Sequence, residues 1–295
     1  MRLLVTGAGG QLGHDVVTTA AAERDDVVGL AHRDLDVTDR QAVITAVTSW
    51  RPEVVIHCAA WTAVDACESD PDRAAAINGR AVRWVAEACD AVGAHLVHVS
   101  TDYVFDGRLA RPYHEFDRPN PLGVYGESKL AGEREALVLG GSAAVVRTSW
   151  LCGEHGANMV RTILRLLADG ADTPGRLAFV DDQRGCPTFT ADLAAMLRRL
   201  GLDRRSGVHH VTNQGVVTWF EFAQAVAVAA AHDPAVVRPI STADLDPPRP
   251  APRPANSVLD NAVLRTAGIP LLRDFHAPLA ELVAALTGAT GSGRR

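Results

Sequence analysis

Leu3-Leu4-Val5-Thr6-Gly7-Ala8-Gly9-Gly10-Gln11-Leu12-Gly13 decides the fold. Leu3–Val5 is a short aliphatic run and reads as a buried strand. Gly7, Gly10 and Gly13 then form G-x-x-G-x-x-G, and a helix is expected from about Gln11 to Ala22. Glycines at a strand-to-helix junction allow a tight turn, close approach to a pyrophosphate, and close packing of helix on strand. The helix N-terminus adds unpaired N–H groups and partial positive charge. Gly7, Gly10, Gln11 and Leu12 are therefore candidate cofactor ligands, although a plain strand–helix turn would use the same glycines.

The same alternation continues outward. Val27–Ala31, Val54–His57, Ala94–Val99 and Ala143–Arg147 read as further strands. Helices fall between them. Thr38 is a plausible N-cap, with Gln41 at capping-box spacing, for a helix to about Trp50. Asp70-Pro71 opens one long helix to about Val92, and Gly93 stops it. Repeated strand–helix units predict an α/β fold, a doubly wound parallel sheet over 1–150. Beyond it, helices are expected over 158–168, 191–200, 218–231 and 277–286, with a strand at 208–211. Asp172-Thr173-Pro174-Gly175 carries turn chemistry, 181–188 reads as a site loop, and Ser257 opens a helix-like stretch. A smaller C-terminal α/β substrate-binding domain is expected over 151–286, with about 189–215 returning to the first domain and 287–295 as a flexible tail.

Composition bounds the function. The chain has 295 residues, 47% of them hydrophobic and 22% charged, as in an ordinary globular protein. A net charge of −6 and a pI near 6.0 argue against a general nucleic-acid binder. Apolar runs fall short of the ~20 residues of a membrane span. Met1-Arg2 leads straight into a strand, so no signal peptide is visible and a cytoplasmic protein is expected. Five cysteines without CxxC spacing argue against a disulfide framework or a zinc knuckle.

The chemistry concentrates in Ser100–Lys129. Thr101 follows a strand end, where open α/β sheets place ligands. Tyr125 and Lys129 are four apart and share one helix face. A free tyrosine has a pKa of about 10, which a nearby ammonium lowers. Tyr-x-x-x-Lys alone also fits an ordinary surface helix. After the second strand, Arg33 suits a ribose 2′-phosphate and Asp34 or Asp36 a 2′-hydroxyl. The signals conflict and lean to NADPH over NADH, with Val37 adjoining. Ala59 and Ala60 end the third strand with small side chains that let a flat cofactor approach.

With those residues in place, the chain resembles the extended short-chain dehydrogenase/reductases. Within them it is similar to the dTDP-4-dehydrorhamnose reductase family, from Leu4 to about Leu286. The matching pieces are Gly7–Gly13, Thr62-Ala63-Val64-Asp65, Ser100–Phe105, Val124–Glu133 and Arg147-Thr148-Ser149-Trp150. Further on come Asp182-Gln183-x-Gly185-x-Pro187-Thr188 and Arg253-Pro254-x-Asn256-Ser257-x-Leu259-Asp260. The resemblance implies a Rossmann sheet and reduction of the 4-keto group of a dTDP-4-keto-6-deoxyhexose, foremost dTDP-4-dehydrorhamnose. It implies Thr101, Tyr125 and Lys129 as catalytic residues, with Lys129 on the nicotinamide ribose. Thr62 and Val64 would line the sugar nucleotide; Trp150 would pack on the sugar or base, or fill core; Asp102 and Tyr103 either line the sugar site or cap and pack the strand end. Arginine suits a diphosphate through its fork, which singles out Arg253.

Similar dehydratases carry Thr-Asp-Glu after the fourth strand, whereas this chain has Thr101-Asp102-Tyr103, which favours simple reduction. Trp61, Gly123, Leu151-Cys152 and Met159 depart from the family pattern near the expected sugar pocket. They leave another substrate open, such as a natural-product sugar or dihydrostreptose. In some relatives acidic side chains bind magnesium at a dimer interface. No such cluster is identifiable here, so no metal is expected and a homodimer stays open. The non-catalytic regulatory subunit of methionine adenosyltransferase is also similar, and is the competing reading.

Overall fold

The computed structural model describes residues 1–169 and 173–291, with side chains through Gly288. The first half runs β1 (Arg2–Thr6), α1 (Gln11–Ala22), β2 (Asp26–Leu30), α2 (Arg40–Trp50) and β3 (Val54–His57). Next come α3 (Val64–Ser69), α4 (Pro71–Ala74), a π-helical turn (Ala75–Arg80), α5 (Ala81–Val92) and β4 (His95–Thr101). Then follow α6 (Val124–Leu137), β5 (Ala143–Thr148), β6 (Leu151–Cys152) and α7 (Met159–Ala168). The second half holds β7 (Leu177–Val180), β8 (Arg184–Gly185), β9 (Thr188–Phe189), α8 (Thr190–Leu202) and β10 (Gly207–His210). It ends with β11 (Val217–Thr218), α9 (Trp219–Ala229), β12 (Val237–Ile240), α10 (Ala262–Thr266) and α11 (His276–Gly291).

Six strands form one parallel sheet in the order β10-β5-β4-β3-β1-β2. The fold is the doubly wound α/β sheet expected from the alternation of strands and helices. Successive residues of a strand face opposite sides, and here both sides are covered, so the strands read as continuous apolar runs. Leu3, Val5, Ile56 and Val97 pack under Leu193 and Leu197 of α8. Leu4, Val55 and Leu96 pack under Val43 and Val47 of α2 and Val82 and Val85 of α5. The register pairs Thr6 with His57, His57 with His98, and Thr101 with Thr148, which lines up the carboxyl ends of the central strands. Strand order reverses beside β1, and ligands of such sheets bind in the crevice outside those ends. A separate core forms from Ile163 on α7, Phe222 and Val226 on α9, Leu279 on α11, and Phe275 just before α11. Among the described residues no helix is long and apolar enough to cross a membrane.

Several local expectations are corrected. Asp39, not Thr38, caps α2 by accepting from the Ala42 amide, because Thr38 is turned to Asp36. The long helix after Asp70 contains a π turn, and α3 precedes it. Asn78 in that turn accepts from the Trp61 amide at 2.8 Å and donates to the Trp61 carbonyl at 3.0 Å. It also donates to Ser128 Oγ at 3.0 Å. The extra residue in the turn thus aims one side chain at two neighbouring segments, a common use of π bulges. Ser257 opens no helix; its amide donates to the Arg184 carbonyl, and α10 begins only at Ala262. The terminal helix runs on to Gly291, past the expected tail boundary; 292–295 lie outside the described residues. So does Asp172 of the expected turn, whose Gly175 has φ +71°.

Candidate active site

A cleft of about 580 Å³ opens at the carboxyl ends of β1, β3 and β4, within the range of small-molecule sites. One end is the glycine loop. Gly7 has φ +71°, and a Cβ there would lie 2.6 Å from the Ala59 amide nitrogen. A Cβ on Gly13 would run into the Gly7 carbonyl. The N-cap of α1, Gly10, supplies no side-chain cap. The loop is therefore a backbone cradle with free helical N–H groups, which is what a pyrophosphate requires. Gly7, Gly10, Gln11 and Leu12 line this end. Gln11 is held by the Leu151 carbonyl and by Asn158.

Ala60 lines the cleft, while the Ala59 backbone backs Gly7. Arg33, Asp36 and Val37 lie outside its lining. The Arg33 side chain is 88% exposed and pairs with Asp34 at 3.6 Å. Asp36 is engaged by the Thr38 amide and hydroxyl, whose hydrogen bonds hold its carboxyl below the usual range. That leaves the Arg33 guanidinium as the more available partner for a ribose substituent.

The other end of the cleft gathers Thr62, Val64, Thr101, Asp102, Tyr103 and Trp150 around Tyr125 and Lys129. Tyr125 and Lys129 share one face of α6 and are both buried. Lys129 Nζ donates to the Val99 carbonyl at 2.7 Å, and burial pulls its pKa down to about 8. Burial pushes the Tyr125 phenol up, and the Thr101 hydroxyl opposes this only in part. The expected lowering of Tyr125 by Lys129 does not offset this burial; one Nζ donor of Lys129 is turned to the Val99 carbonyl of β4. Thr101 donates to Asp102 Oδ1 at 3.0 Å and accepts from the Tyr103 amide at 3.2 Å. Asp102 is 2% exposed, and its Oδ2 has no hydrogen-bond partner. Burial raises its pKa to about 6, against the Ser257 and Thr101 hydroxyls. The Tyr103 ring meets Tyr125 edge-on at 5.6 Å.

Trp150 adopts φ +47° and stacks on Trp219 at 3.5 Å, with 5° between the rings. A Cβ on Gly185 would overlap the Trp150 ring, which explains glycine there. Beyond this stack lies a second cavity of about 250 Å³, which shares Tyr103 and Trp219 with the main cleft. Gln183, Arg249 and Arg253 line it. Arg253 is not free: its fork meets both Asp65 oxygens at 2.8 and 2.9 Å. Burial alone would raise the Asp65 carboxyl, but Arg253, the Ala251 amide and Arg249 together hold it below the usual carboxylate range. Arg249 reaches Asp65 only at 3.6 Å and is 55% exposed. Trp219, Arg249 and Glu68, which accepts from the Val124 amide, are site features that motif reading passed over. Trp219 reads as a helix-core aromatic, and Glu68 as one more helix charge.

Among the described residues, one cluster outside the cleft has metal-ligating chemistry: His14, Asp15 and His155 bring donor atoms within 4.8 Å of one another, lining a separate pocket.

The family model described as RmlD substrate binding domain matches residues 1–287. A dTDP-4-dehydrorhamnose reductase from Streptomyces griseus is 46% identical, over 98% of this chain and 95% of the relative. The chain belongs to the dTDP-4-dehydrorhamnose reductase family. The family's Bacillus anthracis member, crystallised in complex with NADP, superposes with a TM-score of 0.90 at 37% identity, covering 96% and 99% of the two chains. A Streptomyces antibioticus relative, a probable dTDP-4,6-dihydroxy-2-methyloxan-3-one 4-ketoreductase, is 44% identical over 95% of this chain and 94% of its own length. Family membership fits the glycine cradle, the Thr101, Tyr125 and Lys129 cluster, and the absence of Glu after Asp102.

Proposed function

We propose that the chain is an NADPH-dependent reductase of the 4-keto group of a dTDP-4-keto-6-deoxyhexose, with dTDP-4-dehydrorhamnose as substrate. The observation that carries the reading is Tyr125 and Lys129, buried side by side on α6, in one cleft with the glycine cradle. When bound, the nicotinamide supplies hydride to the ketone carbon. Everything else falls to the chain. Gly7, Gly10, Gln11 and Leu12 hold the pyrophosphate, and Lys129 holds the nicotinamide ribose. Ala59 and Ala60 admit the flat ring system. Arg33 meets the 2′-phosphate, while NADH remains usable because a single exposed arginine discriminates weakly.

Tyr125 is the general acid. Its burial-raised pKa keeps the phenol protonated at neutral pH, which is the state that reduction needs. The developing alkoxide is a stronger base than a phenolate, so the proton passes to it. Thr101 orients the ketone oxygen once its hydroxyl turns away from Asp102. Thr62, Val64, Asp102 and Tyr103 contact the sugar, and Trp150 walls it. The diphosphate lies toward Arg249, with Arg253 behind it as part of the fixed Asp65 pair. The domain proposal follows: 1–150 with 189–215 carries the cofactor, and 151–286 mainly the sugar nucleotide. Five unpaired thiols suit a reducing compartment, and the proposed location is the cytoplasm.

Incubation with NADPH or NADH and a panel of dTDP-4-keto-6-deoxy sugars, with NMR of the product, tests the reading. The expected result is cofactor oxidation and a new 4-hydroxyl, fastest with dTDP-4-dehydrorhamnose. A sugar of the antibiotic type reduced much faster would move the assignment toward the Streptomyces antibioticus relative. Lack of oxidation with every sugar, together with co-purification of an adenosyltransferase, would favour the regulatory subunit.

A further inference from the structure

The helix that carries Tyr125 and Lys129 begins without a cap of its own. Its N-cap is Gly123, in extended conformation at φ −148°, with no side chain to accept from the first-turn amides. Such amides need an acceptor wherever water is excluded. Here the acceptor comes from another helix. Glu68 Oε1, on α3, accepts from the Val124 amide at 2.9 Å across 56 residues of chain. The space is reserved for it, since a Cβ on Gly123 would lie 2.5 Å from that oxygen. Three residues on, a Cβ on Gly126 would overlap the Tyr103 carbonyl, so the first turn is also pressed directly onto the segment after β4. Glu68, Tyr103, Tyr125 and Gly126 line one small pocket beside the cleft.

We infer that Glu68 is a positioning residue: it caps α6 in place of a side chain at Gly123 and thereby fixes the phenol of Tyr125 against the cleft. The carboxylate also lies at the positive end of the helix dipole. Tyr125 is the second residue of the helix, so an untied first turn moves the reacting hydroxyl directly. A misplacement of about 1 Å can cost about a hundredfold in rate. The inference rests on the proposed role of Tyr125.

The experiment compares Glu68→Ala, Glu68→Gln and the double variant Glu68→Ala/Gly123→Asn with the parent, using turnover at saturating substrates well below each melting temperature. Amide hydrogen exchange over the first turn of α6 is measured in parallel. Glu68→Ala is expected to lose at least about tenfold in kcat and to speed exchange at Val124. Glu68→Gln keeps the acceptor oxygen and should stay within about threefold. In the double variant the new Asn side chain takes the space that Glu68 vacates and restores the cap, a preferred N-cap role, with kcat again within about threefold. A merely structural glutamate would lower the melting temperature without this pattern in kcat. Wild-type turnover in Glu68→Ala overturns the inference, as does failure of both Gln and Asn to restore it. Tyr125→Phe separates the two failures: if that variant turns over normally, the reading of Tyr125 fails; if it is inactive while Glu68→Ala is not, only the positioning role fails.

Discussion

Asp102→Asn should make the free protein more stable and the enzyme worse. The Asp102 carboxyl is 2% exposed, with one oxygen unpartnered, and its pKa rises from 3.8 to about 6. A raised acid pKa means the folded state prefers the protonated form. Its folding penalty is therefore nearly absent below the unfolded pKa, grows as pH rises, and is complete above the folded pKa. A shift of that size corresponds to about 3 kcal/mol at pH 8 and about 1 kcal/mol at pH 4.5. Asparagine keeps an oxygen for Thr101 and never ionises. Urea unfolding of both proteins at pH 8 and pH 4.5 reads the difference directly. The stability advantage of Asp102→Asn should shrink by about 2 kcal/mol between the two pH values. The same substitution removes a charged acceptor for a sugar hydroxyl, worth about 1.5–3 kcal/mol, so KM for the sugar nucleotide should rise at least about tenfold. A pH-independent stability difference would refute the burial reasoning, and an unchanged KM would remove Asp102 from the sugar site.

Further outcomes are expected elsewhere. Because burial places Lys129 near 8, kcat/KM should fall about tenfold per unit above that pH, and Lys129→Arg should move this limb upward. Arg249→Ala should raise KM for the sugar nucleotide by at least about fivefold with little change in melting temperature, since its side chain is half-exposed and only loosely paired. Arg253→Ala should lower stability as well, because it removes the fork from both oxygens of Asp65 and leaves them the Ala251 amide and the looser Arg249. Arg147→Met should cost about 3–5 kcal/mol in urea unfolding, because it takes the guanidinium, now at 2.7–2.8 Å, from the Glu133 carboxylate, which is 2% exposed and keeps the Ser100 hydroxyl as donor.

The parallel sheet was legible because strands buried on both faces leave short, continuous aliphatic runs, and glycines must occupy the turn where the backbone meets a phosphate. Tyr125, Lys129 and Thr101 were legible for a related reason: a helix face and a strand end fix their meeting before any tertiary detail. The small ladders β6–β9 and β8–β11 were not, since two-residue strands carry no period, and β7–β12 joins two four-residue strands about sixty residues apart, too short for alternation to mark them. Partnership across sequence was hidden too. Arg253 read as a free cation until Asp65, 188 residues away, was seen to occupy it. Spacing showed that Tyr125 and Lys129 share a face, but not how deeply both are buried or which carbonyl the ammonium meets. Thr38 and Asp39 stand side by side as equally good caps, and only the turn at Asp36 decides between them.

The most direct measurement follows NADPH deuterated at C4 into the product, with wild-type protein and with Tyr125→Phe. Wild-type protein should place deuterium on C4 of the sugar. Tyr125→Phe should still bind NADPH but turn over at least about a hundredfold more slowly. Near-normal turnover in Tyr125→Phe, or deuterium that never reaches the sugar C4, would contradict this assignment of the cleft.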